Sequence, residues 1–568
     1  MKWYEFGNGP LRALKVLLES PLDFDPVDYI DRTFGSNVGE VDPNTLHLAH
    51  FYNDVRKGLF PKISAVSFFL ANSLNVDINN HRTAALPLSH ELSKDVNISG
   101  KVSESLLVKT CDSVNMQIDR LLESFGVDGC SGKTLRSELN DFISFYFFSE
   151  ALFFVLVGMA VVEFDDDRII VKPESQERVK ELHRKWFANY WEQLSSMASI
   201  AYFDLLPKGA DKDKNFNQII SLFGQGLRDK IFSIPADELP GKLNRLESVQ
   251  WISKICNLAA LCMWCQLKNN MNCAPYELIE KLGISGSDID QLMSLVKKRS
   301  QPDRVFSKNA KGVKIENSSI TNQLRIIIND IANLISENKL NQLLGNFFEK
   351  EYVSEYFLRD ELRDKYKVHP GILAHEIEGN DFKPDVDFIL EDSRRNVFYF
   401  IQVKYLRIGG KAYISGDLEH LVSGKLSKGI SQLVDAEKAM NCGKLWKPLN
   451  KRGLHNCNKD NSFFLLIHNV SNFDFCVWPS GIVSYEWNSV RNLFKDGEIN
   501  FGHSKSSPSH WKHNQPLPVE RPDDLINFLM NNGPAAQRGG ASSLFETDNV
   551  VVRTRFGNTD FLCYGMGL

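Results

Sequence analysis

The sequence lacks the basic excess that marks many nucleic-acid-binding domains. Its 568 residues include 66 lysines and arginines against 71 aspartates and glutamates, a formal net charge of −5. Because that balance does not attract phosphate chains globally, any nucleic-acid contact must come from a local basic patch. The chain is too long for one hydrophobic core, and we expect two to four domains.

A secretion signal and a metal-binding cysteine pattern are also missing. The first five residues do not form a charged and then apolar segment. The ten cysteines are scattered, and those at 256, 262, 265 and 273 lie in an apolar, helix-like stretch without paired zinc-ligand spacing. We expect them to be buried small hydrophobes, in a cytoplasmic protein with reduced thiols.

Long hydrophobic runs are scarce, and the main one spans residues 142–162. A membrane helix there would bury Glu150, and acidic residues outnumber basic ones on both flanks, which is costly in lipid. The end of the run is typical of a hairpin, with strands at 160–164 and 168–171. We therefore favour a buried helix followed by a hairpin, and we expect no membrane contact.

A complete phosphate loop is absent too. Gly129 to Thr134 ends like one, but Val127 stands where the first glycine is required, and no apolar strand precedes it. The segment is interpreted as the start of a helix, and nucleotide hydrolysis is not predicted.

What the first half contains is helical periodicity. Apolar residues recur at three- and four-residue spacing in segments 106–125, 179–205 and 251–267, so residues 1–315 are predicted to be mainly helical. Pro275 to Leu282 and Asp288 to Lys298 predict two short helices. Such a pair can be a helix-turn-helix DNA reader, but we favour ordinary helical packing because the second helix has no basic face.

Basic residues are concentrated between 297 and 314. Seven lysines and arginines stand there against Asp303 alone, and apolar residues thin out. This pattern predicts an exposed basic linker. It either connects two domains as a solvated segment or contacts a phosphate backbone.

The second half alternates helices and strands. The predicted fold class is therefore a multidomain chain in which a mainly helical region precedes a mixed α/β domain. Its parts are a sensing or regulatory region at 1–315, a linker end and connecting helix at 316–335, the α/β domain at 336–480 and an extension at 481–568. Within this half, helices are predicted at 321–337, 340–365 and 428–440, and strands at 371–377, 386–390, 397–405, 462–468 and 474–478.

Polar side chains occur in a distinctive order in the α/β domain. Asp385 and Asp387 begin one strand, and Gln402 and Lys404 end the next. Alternate strand residues share a face, and a hairpin would bring Asp387 beside Gln402 and Lys404. Carboxylate and amide oxygens suit magnesium, and a lysine beside the metal can activate water or stabilise a phosphate. A helix glutamate, Glu349, precedes this set.

This arrangement resembles the PD-(D/E)xK nuclease superfamily, which has the restriction-endonuclease-like fold. Gln402-Val403-Lys404 is similar to the Q-x-K variant of Mrr-like and defence nucleases. Carried over by position, Glu349, Asp387, Gln402 and Lys404 are the catalytic residues, and the first three bind the metal. We favour Asp387 over Asp385 as the ligand. Gln432 matches the glutamine often found on the following helix.

The resemblance implies phosphodiester hydrolysis with Mg²⁺, for which Mn²⁺ can substitute. DNA is favoured over RNA as the substrate, in bacterial restriction or antiphage defence, and a homodimer or higher oligomer would allow both strands to be cut. Expected nucleic-acid contacts are made by Gln432, Lys411, Lys425, Lys428, Lys297, Lys298 and Arg299.

Two alternatives stay open at this stage. Gln402 replaces an acidic ligand and removes one negative charge, so the domain could be a degenerate nuclease fold that only binds nucleic acid or a protein partner. The chain could also be a helical scaffold whose α/β domain mediates protein contacts, and binding of nucleic acid that weakens with salt would then be absent.

Overall fold

The structure is a computed structural model of the chain that mixes helices and sheets, as the sequence predicts. Residues 106–125 and the phosphate-loop-like segment lie outside the part it describes. The described residues are 43–59, 215–268, 271–297, 305–315, 338–379, 381–406, 425–470, 473–496 and 518–531, with shorter segments within 148–191 and at 327–328, 331–332, 498–500, 510–512, 550–556 and 558–564.

Helices dominate the described residues up to 297. The longest of them spans Glu247–Lys268 and has one exposed side near its start. Its side chains at 258–266 are all buried, because apolar side chains surround this part of the helix on every side. The four cysteines singled out above are buried thiols outside any disulfide bond, as expected. The helices are α1 (Pro43–Leu59), α2 (Phe216–Phe232), α3 (Gly241–Asn244), α4 (Glu247–Lys268), α5 (Tyr276–Lys281) and α6 (Gly286–Lys297).

The segment predicted as an exposed linker is partly a β-hairpin, so that prediction was wrong for residues 305–315. Two strands, β4 (Phe306–Lys308) and β5 (Gly312–Ile315), pair with each other, and β5 also pairs with β3 (Ala274–Pro275). The sheet order is β3-β5-β4. The apolar residues between the lysines cause this, since Phe306, Val313 and Ile315 are buried against α4 and its neighbours.

A six-stranded mixed sheet forms the centre of the second half. Its order is β10-β11-β9-β8-β7-β6, with β6, β7 and β8 antiparallel and β8, β9 and β11 parallel. The β8 strand is buried along its length, as expected for its run of Val, Phe, Tyr and Ile. The strands are β6 (Tyr366–Leu373), β7 (Asp385–Asp392), β8 (Val397–Lys404), β9 (Ser462–His468), β10 (Cys476–Val477) and β11 (Val483–Glu486).

Helices cover both faces of this sheet. The helix Lys425–Asn441 lies on the face that carries Gln402 and Lys404, and the helical segment at residues 338–356 lies on the other face. That segment was predicted as one helix over 340–365, but it changes to a π-helix at Phe348–Tyr352 and breaks after residue 356. The helices are α7 (Asn338–Phe347), α8 (Val353–Tyr356), α9 (Asp360–Arg363), α10 (Lys425–Asn441) and α11 (Trp446–Lys451).

The sheet continues beyond residue 480, where the sequence places the end of the domain. The β11 strand pairs with β9, and the helix α12 (Trp487–Asp496) follows it directly. Further on, Glu520 accepts hydrogen bonds from Tyr399 at 2.9 Å and from Arg395. It precedes the helix α13 (Pro522–Asn531). We call the described part of residues 338–531 the sheet domain.

A second sheet, of order β1-β2-β15-β14, combines strands within residues 160–173 with strands from the C-terminal end of the described chain. The hairpin predicted near residue 165 is confirmed as β1 (Ala160–Asp165) and β2 (Arg168–Pro173). Strand β2 also pairs in parallel with the C-terminal strand β15 (Thr559–Tyr564), next to β14 (Val550–Phe556). Two short strands, β12 (Glu498–Asn500) and β13 (His510–Lys512), form a separate antiparallel pair. In the described residues, no helix is long and apolar enough to cross a membrane.

Candidate active site

The candidate site begins where β7 and β8 separate. Their ladder pairs Asp392 with Val397 and ends with Phe388 opposite Ile401, so Asp387 and Gln402 face each other one step beyond the last pair. Here the Asp387 side chain takes the place of the missing backbone partner. Its Oδ2 accepts hydrogen bonds from the Val403 N–H at 2.6 Å and from Gln402 Nε2 at 2.8 Å. The carboxylate is thereby fixed at the strand end.

Glu349 reaches the same strand end from the helical segment. It lies in the π-helix, and its Oε1 accepts a hydrogen bond from the Tyr405 N–H at 2.7 Å. A π-helix is rare, and single π-helical turns inside α-helices are frequent at functional sites. Two carboxylates therefore hold the N–H groups on either side of Lys404.

Lys404 extends between the sheet and α10. A methyl group on Gly429 would lie 3.1 Å from its Cε and 3.2 Å from its Cγ, so the glycine leaves the space that the lysine chain occupies. Alternation along β8 puts Lys404 on the same face as Gln402. Ile401 and Val403, which alternate with them along the strand, enter the hydrophobic core on the other face.

A second aspartate–glutamine pair lies beside the first. Gln432 Nε2 on α10 donates a hydrogen bond to Asp385 Oδ2 at 2.7 Å. Gln432 is only 9% exposed, and the contact that its side chain makes in the structure is with the carboxylate of Asp385. The two aspartates, which the sequence left as alternative ligands, thus have distinct partners: Asp387 bonds Gln402 and Val403, and Asp385 bonds the helix.

The site is electrostatically crowded. Burial of its carboxyl group raises the pKa of Asp387 to about 7, although the residue as a whole is exposed at the end of the strand. The Val403 N–H and Lys404 oppose this rise in pKa, while Asp385 and Glu349 add to it. Three carboxyl groups and one ammonium group therefore act on one another, and a cation is the natural way to relieve the repulsion.

The oxygen atoms present fit a hard divalent cation. Gln402 Oε1 is buried and has no hydrogen-bond partner. Asp387 and Glu349 each use one oxygen for a backbone N–H, which leaves the other oxygen of each carboxylate as a donor. Acidic residues alone do not suffice, since no three His, Cys, Asp or Glu side chains in the described residues are grouped for a metal. The amide oxygen of Gln402 is needed to complete the set.

Part of the predicted nucleic-acid surface lies around this site. Lys425 donates a hydrogen bond to the Tyr405 carbonyl at 3.0 Å, directly beyond Lys404, and Lys428 is exposed one turn further along α10. Lys411, Lys298, Arg299 and the side chain of Lys297 lie outside the part of the chain that the structure describes.

One residue of the site was missed from the sequence. Asn469 is buried directly after β9, and its amide group bonds both the N–H and the carbonyl of Leu406, at 2.7 and 2.9 Å. It anchors the chain just beyond Lys404 and Tyr405. A polar residue immediately after a strand of apolar residues was the available signal, but nothing local indicates its partner 63 positions earlier.

Comparison of the chain with protein-family models, with curated proteins and with solved structures found no match in any of the three.

Proposed function

We propose that the sheet domain is a restriction-endonuclease-like domain that hydrolyses phosphodiester bonds with a divalent metal, Mg²⁺ or Mn²⁺. The observation that carries this proposal is the bonding at the end of β8. Asp387 bonds the Gln402 amide and the Val403 N–H, Glu349 bonds the Tyr405 N–H, and Lys404 lies between those two N–H groups.

The metal would be held by Asp387, Glu349 and the amide oxygen of Gln402. When bound, it would supply Lewis-acid activation of water and of the phosphate oxygens. Gln402 Nε2 bonds Asp387 in this structure, so the amide group would rotate to present its Oε1 to a cation held by the same carboxylate. Gln432 keeps Asp385 in place beside this set.

Lys404 supplies the positive charge that hydrolysis requires. Its positive charge opposes the rise in the pKa of Asp387, so its ammonium group lies near that carboxyl group. There it would orient the attacking water and stabilise the negative charge that grows on the phosphate as the bond breaks. Its side-chain path is fixed by α10 at Gly429, which limits the positions that the ammonium group can reach.

The test is cleavage of plasmid DNA and structured RNA by the purified chain with Mg²⁺, with Mn²⁺ and with EDTA. We expect metal-dependent cutting that falls by roughly a thousandfold or more in Asp387→Asn and in Lys404→Ala. The matched controls are Asp460→Asn and Lys459→Ala, because both residues are exposed in the loop that precedes β9, at the opposite end of the sheet. Their activity should equal that of the wild type.

Other outcomes separate the alternatives. Cutting that survives both site substitutions would refute the assignment of this site. A wild type that binds nucleic acid in a salt-sensitive way and never cuts it would favour the degenerate nuclease fold. Absence of both activities would leave the scaffold interpretation.

A further inference from the structure

The helices α4 to α6 and the strands β3 to β5 form one compact unit, residues 247–315, which we call the hairpin unit. Along the chain it contains a helix, a short strand, two helices and a β-hairpin, and its sheet has the order β3-β5-β4. Helices α5 and α6 are joined by a turn at Gly283, whose φ of +72° suits glycine. This is the arrangement of a helix-turn-helix followed by a β-hairpin wing.

The second helix of the pair is fixed at its start. The Ser285 N–H donates to Asp288 Oδ2 at 2.8 Å and the Asp288 N–H donates to Ser285 Oγ at 3.2 Å, which is a reciprocal cap. Lys254 on α4 forms an ion pair with Asp288 at 3.0 Å. The apolar side of α6 is buried, so the helix presents one defined outer face.

That outer face consists of polar side chains. They are short or medium in length and exposed along the first two to three turns of α6. Serine, glutamine and aspartate are side chains that form hydrogen bonds with base edges in the major groove. In helix-turn-helix proteins, it is the N-terminal part of the second helix that makes such contacts. The exposed residues are Ser287, Asp290, Gln291 and Ser294.

The hairpin places positive charge beside this helix. Lys308 and Lys311 are exposed at its tip, and Lys308 forms an ion pair with Asp290 on α6 at 2.8 Å. The tip is also held by Tyr276, whose hydroxyl group donates to the Asn309 carbonyl at 3.0 Å. The exposed acid on the helix is therefore compensated by a wing lysine, and the wing keeps a fixed position next to the helix.

The charge of this segment differs from that of the whole chain. Residues 274–315 contain eight lysines and arginines against five aspartates and glutamates, while the chain has a net charge of −5. The excess of three comes from residues 297–304, which follow α6 in the sequence and whose side chains lie outside the described residues. Because α6 itself has no basic face, the positive charge beside it in the described residues is that of the exposed lysines of the hairpin, which suits a phosphate backbone.

We propose that the hairpin unit binds double-stranded DNA, with α6 in the major groove and the β4–β5 wing on the phosphate backbone. An α-helix with its side chains is about 10–12 Å wide, which matches the roughly 12 Å major groove of B-form DNA. The major groove of an RNA duplex is too deep and narrow to admit it. This second nucleic-acid site is separate from the proposed active site and does not require it to be catalytic.

The experiment measures binding of the full chain in EDTA, so that cleavage does not interfere. The probes are a fluorescent 30-base-pair DNA duplex with random sequence and an RNA duplex of the same length, titrated by anisotropy at several salt concentrations. We expect Lys308→Ala/Lys311→Ala to weaken DNA binding about tenfold and to lower the salt slope by about two. Lys180→Ala/Lys242→Ala, which removes two exposed lysines outside the unit, should match the wild type.

Two further variants test the phosphate contact and the base contact separately. Lys311→Ala alone leaves the Lys308–Asp290 pair intact and should lower the salt slope by about one. Gln291→Ala should keep the slope and reduce enrichment of sequences from the random pool, because base contacts set specificity. Wild-type affinity and slope in both lysine variants would overturn the proposal, as would equal affinity for the RNA duplex. If Asp387→Asn removes cleavage but not this binding, the two sites are distinct, and loss of either proposal leaves the other testable.

Discussion

The carboxylates at the end of β8 are bonded to backbone groups, whereas the charged groups on the wing of the hairpin unit project into water. At the end of β8, Asp387 and Glu349 bond backbone N–H groups, and the carboxyl of Asp387 has a raised pKa. On the wing, Lys308 and Asp290 pair at the surface, with side chains 44% and 71% exposed. Bond cleavage requires charged groups that are fixed in place, while contact with phosphates requires accessible charge. The contrast agrees with the two functions that we propose.

The largest expected effect is loss of a buried ion pair in the sheet domain. Glu520, whose side chain is 5% exposed, bonds both Arg395 and Tyr399. Glu520→Ala would leave the Arg395 guanidinium without its partner, and we expect the free energy of unfolding to fall by about 3 kcal/mol. Asp290→Ala breaks the exposed pair of the hairpin unit and should cost under about 0.5 kcal/mol. Chemical denaturation measures both, and equal costs would invalidate the comparison.

The next largest loss of stability is expected where two backbone segments of the hairpin unit lie close together. A methyl group on Gly312 would lie 1.9 Å from the Ala274 carbonyl oxygen, where β5 and β3 meet. Gly312→Ala is therefore expected to destabilise the unit by about 2 kcal/mol and to weaken DNA binding in EDTA. Gly241→Ala is the matched control, since nothing lies within 4 Å of that position. Unchanged DNA binding in a destabilised Gly312→Ala protein would place the DNA site elsewhere.

A smaller effect is expected where the sheet domain contacts the helical region that precedes the hairpin unit. Tyr352 on the π-helix donates a hydrogen bond to Glu238, from the loop after α2, at 2.6 Å, and accepts one from Arg491 at 3.2 Å. Tyr352→Phe removes both hydrogen bonds while Glu238 keeps its ion pair with Arg359, and we expect a cost of about 1.5 kcal/mol. Because Glu349 lies on the same π-helix, metal-dependent cleavage should require more Mg²⁺ for half-maximal rate. A stability loss without any change in Mg²⁺ dependence would show that the contact is structural only.

The smallest effect is a pH dependence in the sheet domain. Burial and the neighbouring Glu486 raise the pKa of Asp474 well above its ordinary value of 3.8. The folded state thus holds this proton more firmly than the unfolded state, so stability falls as the pH rises above about 4. Asp474→Asn removes the cost and should stabilise the protein by about 1 kcal/mol near neutral pH.

Thermal unfolding between pH 4 and 8 checks this last prediction. The stability gain of Asp474→Asn should shrink towards the acid end, where the wild-type carboxyl group is protonated in both states. Asp460→Asn, at an exposed aspartate in the loop before β9, serves as the control and should show no such trend. A gain that is constant with pH would mean that the carboxyl charge is not its cause.

Short-range patterns in the sequence determined much of this protein. The dense apolar run of β8 and the alternation around Asp387 and Gln402 predicted the paired strands, because each residue's face in a strand depends only on its neighbours. The hairpin near residue 165 and the helices α5 and α6 followed from equally local signals. The set Glu349, Asp387, Gln402 and Lys404 was also predicted from the sequence, by the order of its residues and the family resemblance, and it stays a prediction.

Only the tertiary structure decided the rest, because the partners are distant in sequence. The basic segment became a wing since Val313 and Ile315 find a buried surface on α4, where Gln266 bonds both backbone groups of Ile315. The π-helix at Glu349, the β11 strand beyond residue 480 and the pairing of β2 with β15 depend on contacts that no local period encodes. Periodicity specifies which face of an element is buried, and the partner that buries it is set by packing of the whole chain.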